Sequence, residues 1–126
     1  MKEATLFIAF TFLLATFGCD NSTSNVNYLD QADCTGVDAT SNSYTTTIKG
    51  ILDNSCATSG CHNASSRESG IDLSTSAKAK SAFQNAECLC AIHHGSDCKS
   101  MPQGGNKLDD ATIQLIDCWV KNGYKE

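Results

Sequence analysis

Apolar and polar positions divide the chain into blocks of different periodicity. The first is a continuous apolar run of fifteen residues, "ATLFIAFTFLLATFG" at 4–18, with no internal period. It stops at Cys19, and residues 19 to about 42 are rich in Asn, Ser, Thr and Asp, which predicts a flexible tether around Cys34. From Tyr44 the pattern turns helical. Ile48, Ile51 and Leu52 fall on one face of a helix that runs into Ser55-Cys56. "NASSRESG" at 63–70 reads as a loop, and an alanine-rich stretch predicts a helix from about Ser74 to Gln84, opened by a Ser or Thr cap. Residues 88–106, "CLCAIHHGSDCKSMPQGGN", predict little regular structure. The last segment is the most strongly patterned. Thr112, Leu115, Ile116, Trp119 and Val120 form an i, i+3, i+4, i+7, i+8 stripe, with Asp109 as N-cap, Asp110 in the first turn and Gly123 at the C′ position.

Length and charge narrow the classes. One hundred and twenty-six residues suit one domain with a modest core. A net charge of −5 argues against a nucleic-acid partner, because phosphate contacts need a basic surface. The apolar run at 4–18 is shorter than the roughly 20 residues of a membrane span and suits the core of an export signal covering 1–18. Gly18-Cys19 after such a run resembles a bacterial lipobox, which implies a lipid on Cys19 and a mature chain starting there. Eight cysteines in this length fit an oxidising compartment or a cofactor site.

The densest chemistry is "CATSGCHN" at 56–63, two cysteines followed directly by a histidine. A disulfide between Cys56 and Cys61 would give His62 no role. Zinc would need a fourth ligand and usually a tighter C-x2-C pair, with thiolates kept reduced outside the cytoplasm. Covalent haem uses all three residues: each thiol bonds one porphyrin vinyl group, and the adjacent imidazole ligates the iron. The large apolar porphyrin would also complete a small core.

Over about 44–126 the chain resembles small class I monohaem c-type cytochromes, in particular short bacterial lipoprotein forms. Three features carry the resemblance in order: the helix ending in "CATSGCH", the "SMPQGG" loop, and "KLDDATIQLIDCWVKNG" as the closing helix. The motif is C-x4-C-H instead of the usual C-x2-C-H, and the cysteines at 34, 88, 90, 98 and 118 are additions to the family pattern. The resemblance implies an all-α fold, with three main helices around one haem c and the first and last helices crossing, and an extended tether ahead of it. It implies thioethers at Cys56 and Cys61, His62 as the proximal ligand and Met101 on the other face of the iron. Pro102 biases Met101 toward an extended backbone, while His93 or His94 could take its place as ligand or else cap the loop.

The function implied is a one-electron carrier, exported to the periplasm or anchored to the outer membrane through the lipid on Cys19. Its partners would be redox proteins, with no nucleic acid and no small-molecule substrate. No Ser-His-Asp or paired-carboxylate set suggests an enzyme. The alternatives are a haem peroxidase or sensor whose sixth position opens, and a haem-free, disulfide-rich binding module. Setting aside Cys19, Cys56 and Cys61 leaves five cysteines. Cys90–Cys98 would close the loop before Met101, and Cys34–Cys118 would pin the tether to the last helix, leaving Cys88 free or intermolecular. Lys99 and Lys107 flank the Met101 loop as candidate steering charges on an acidic protein.

Overall fold

The computed structural model describes residues 24–126, so the expected signal at 1–18 and Cys19 lie outside the described residues. Those described form an all-α chain of five helices: α1 (Ser24–Gln31), α2 (Lys49–Ser55), α3 (Ser76–Phe83), α4 (Ala86–His93) and α5 (Asp110–Lys121). A π-type turn, Tyr44–Ile48, leads directly into α2. The expectation of three main helices is corrected to five among the described residues, because α1 forms where the pattern predicts a tether and α4 where it predicts little regular structure.

α5 organises the core. Asp109 caps it as the sequence predicts, its carboxylate accepting from Thr112 N–H at 2.9 Å. Gly123 follows with a φ of +85°, the left-handed conformation that closes a helix and that glycine adopts without strain. Trp119 is fully buried at the centre. Tyr124 and Phe83 meet it edge-on, with ring centroids 5.1 and 6.0 Å away, and its indole N–H donates to Lys125 O at 2.9 Å. Ile48 and Leu52 share this core with Ile116, Trp119 and Val120, while Ile51 is half-buried. The contact to α5 runs through the Tyr44–Ile48 turn, where the Tyr44 ring lies 6.2 Å from Trp119. The buried face of α5 is wider than the predicted stripe: Ile113, Asp117 and Cys118 are buried as well, and Thr112 and Leu115 are only half-buried.

The wider burial has its cause at the N-terminal side. Residues 24–43 are not an extended tether. α1 packs on α4 and α5, and the segment after it straps α5. Cys34–Cys118 fastens the strap, Lys121 Nζ donates to Ala32 O at 2.9 Å, and Asn42 Nδ2 donates to Leu115 O at 3.0 Å. The Asn- and Asp-containing sequence of α1 is a poor helix former, so its helicity rests on tertiary packing, which a local pattern does not reveal. α3 matches its expected span, with Thr75 as N-cap. α4 occupies ground expected to be irregular. Asn85 caps it, and Leu89 and Ile92 bury one face.

The second disulfide joins Cys90 to Cys98, so both bridges form as the cysteine arithmetic suggested, and Cys88 takes part in neither. Two disulfides belong to an oxidising, exported environment. Among the described residues no helix is long and apolar enough to cross a membrane.

Candidate functional site

The 56–62 segment is a closed loop at the end of α2. Cys56 and Ala57 N–H both donate to Leu52 O, at 2.9 and 2.7 Å, which ends the helix. Gly60 turns the chain with a φ of +82° and donates its N–H to Ser66 Oγ at 3.0 Å. The chain then returns so that His62 N–H meets Cys56 O at 3.1 Å, and His62 O accepts from Leu73 N–H at 2.8 Å. His62 is thus held on both sides of its main chain. The widened C-x4-C spacing is accommodated by this return hydrogen bond and the glycine.

His62 is buried, at 7 % exposure, and its Nδ1 has no hydrogen-bond partner among the described residues. A buried polar atom left unpaired costs roughly 1–3 kcal/mol. The side chain faces a cavity of about 360 Å³ whose wall also includes Cys56 and Met101. That volume is within the ordinary range for small-molecule and cofactor sites. Ile71, Leu73, Phe83 and Ile92 make an apolar lining, and Ser69, Glu87, Asp97 and Lys99 are polar lining residues. A second cavity of about 320 Å³ shares Cys56, His62 and Met101 and adds Cys61, Gly60 and Pro102. The four residues singled out in the sequence therefore all line these two cavities, with Cys61 the most exposed of them.

Met101 comes to this place from forty residues away in sequence through the end of α4. Its N–H donates to Ala91 O at 2.9 Å, and its carbonyl lies 3.0 Å from His94 Nε2. The Cys90–Cys98 bridge shortens the intervening excursion. His93 points elsewhere. Its Nε2 donates to the buried Asp117 carboxylate at 2.9 Å, and its ring stacks on Tyr28 at 4.3 Å. Burial pushes the Asp117 carboxyl up, against the lowering effect of the His93 hydrogen bond. Neither His93 nor His94 lines the cavity, and both rings are committed to other partners.

The thiols bear on the rival chemistries. Burial, reinforced by the neighbouring Cys61 and Cys88 thiols, pushes Cys56 up to about 11. Cys88, also on the cavity wall, is pushed up to about 11 by burial and by Glu87. A structural zinc would need further ligands beside these thiols. Among the described residues no three His, Cys, Asp or Glu side chains gather as a metal-binding group. The sequence reading missed Cys88 and the apolar wall contributed by α4. The Leu89 and Ile92 spacing was the available signal, obscured by the surrounding Cys and His.

No protein-family model, curated protein or solved structure matches the chain.

Proposed function

We propose that the chain is an exported one-electron carrier with one haem c, attached through Cys56 and Cys61 and ligated by His62 and Met101, of the class I cytochrome type its motifs resemble. The observation that carries this reading is the meeting of Cys56, His62 and Met101 on one largely apolar cavity, with the His62 imidazole buried beside it. When bound, the group supplies an Fe(III)/Fe(II) couple, and thioether ligation raises its potential relative to two histidines.

The residues around it have definable tasks. The closed 56–62 loop presents two thiols and an imidazole in fixed order. Ile71, Leu73, Phe83 and Ile92 exclude water, which favours the less charged state of a bound centre. Met101 binds through a thioether that carries no proton, so this contact persists over a wide pH range. Lys99, on the cavity lining, offers a positive charge for an acidic redox partner. The oxidising environment implied by the two disulfides agrees with haem attachment outside the cytoplasm, and a lipid on Cys19 would tether the carrier to a membrane.

The test is the absorption spectrum of the exported protein with a pyridine haemochrome assay after acid-acetone extraction. One haem per chain that resists extraction is expected. A protein exported alongside haem-maturation machinery with no Soret band would refute the proposal and favour a haem-free binding module. Fast carbon monoxide or peroxide binding by the resting protein would instead favour the peroxidase or sensor reading.

A further inference from the structure

We infer that His94 is the positioning residue for Met101, fixing its carbonyl so that the side chain stays on the cavity wall; this rests on the haem reading above. α4 ends at His93, and His94 adopts a left-handed backbone with a φ of +57°, which turns the chain out of the helix. Its own N–H stays on the helix end, donating to Ala91 O at 3.2 Å. The chain then makes an excursion closed by Cys90–Cys98 and by Gly95 N–H to Cys90 O at 3.0 Å. It returns at Met101, whose N–H donates to that same Ala91 carbonyl at 2.9 Å. The Met101 carbonyl meets His94 Nε2 at 3.0 Å. A carbonyl only accepts, so Nε2 carries the proton and His94 is the donor.

These two bonds bracket one residue. The peptide group before Met101 is tied to the last turn of α4 through Ala91 and the one after it to the cap residue His94, which sets the direction in which its side chain leaves the backbone. Ala91 and Met101 line the cavity and His94 does not, so the imidazole acts from behind the wall. Without the His94 bond, the carbonyl side of Met101 is free to rotate and the thioether leaves the wall more often. One neutral hydrogen bond corresponds to a roughly two- to tenfold change in that population.

The experiment compares wild type with His94→Leu, which removes the donor, and His94→Gln, whose side-chain amide offers a donor at similar reach. In the reduced proteins carbon monoxide can bind only when Met101 is off the iron. The expected result is binding roughly two- to tenfold faster in His94→Leu, a weaker near-infrared sulfur-to-iron band in its oxidised form, and values close to wild type in His94→Gln. A folded His94→Leu with wild-type rates and band overturns the inference and leaves the haem reading standing, as does a His94→Gln that matches His94→Leu. A wild-type protein without covalent haem overturns the haem reading itself and this inference with it. Nitrogen-15 chemical shifts of His94 in wild type need no variant: the Nε2–H tautomer is expected, and the Nδ1–H tautomer rejects the assignment.

Discussion

Removing Cys34–Cys118 should cost more stability than removing Cys90–Cys98. Both perturbations delete one disulfide, but the bridges span very different lengths of chain, 84 residues against 8. If a disulfide acts mainly by restricting the unfolded chain, the loop-length relation gives about 4.6 kcal/mol for the long loop and about 2.5 kcal/mol for the short one at 25 °C. Each bridge has one buried end, Cys118 on α5 and Cys90 on α4, so the loop length decides the order. The Cys34–Cys118 bridge fastens the strap that α1 precedes. Small domains are stable by only about 5–15 kcal/mol in total, so the first loss is a large share of the whole. The assay is equilibrium guanidinium unfolding of Cys34→Ala/Cys118→Ala and Cys90→Ala/Cys98→Ala, with alanine chosen so that no thiol is left to mispair. The expected gap is about 2 kcal/mol, with the long-loop variant the less stable. Equal stabilities, or the reverse order, would refute the reasoning and show that the strap holds without the cross-link.

Trp119→Ala should destabilise by about 3–5 kcal/mol, because it empties the fully buried centre between Tyr44, Phe83 and Tyr124; a melting temperature near that of wild type would count against this core. Asp72 is held well below the usual carboxylate range, first by the hydrogen bond from Lys78 and then by Ser74. A lowered folded pKa contributes stability that is complete above the unfolded value near 3.9 and is lost as pH falls below it, so Asp72→Asn should flatten the acid limb of the melting-temperature profile; an unchanged limb would be the contrary result. Lys107 is already paired with Asp110 at 3.1 Å, whereas Lys99 is on the cavity lining, so Lys99→Gln should reduce the salt dependence of electron transfer to an acidic partner more than Lys107→Gln. Equal slopes in the two variants would remove Lys99 from that role.

The parts of the fold legible in the sequence were those governed by local chemistry. Asp109, Gly123 and the apolar stripe gave α5, and Thr75 with the alanines gave α3, because caps and periodicity act within a few residues. α1 was not legible. Its poor helix formers are held by Tyr28 on His93 and by a bridge 84 residues long, which are tertiary facts. α4 was hidden by its own composition, since cysteines and histidines drew a reading of loop chemistry to residues that also bury Leu89 and Ile92. The site shows the same division. Cys56, Cys61 and His62 are visible as one motif, but the route that brings Met101 to them runs through two carbonyl contacts, at Ala91 and at His94, that no spacing encodes.

The central claim is that Cys56 and Cys61 carry the haem while Cys88, on the same cavity wall, does not. Alkylation of the denatured, unreduced exported protein, followed by peptide mass mapping, tests it directly. The account predicts a haem on the peptide containing Cys56 and Cys61, neither of them alkylated, with Cys88 alkylated and Cys34, Cys90, Cys98 and Cys118 protected in their two bridges. Alkylated Cys56 and Cys61 on a haem-free peptide, or a disulfide joining them, would contradict it.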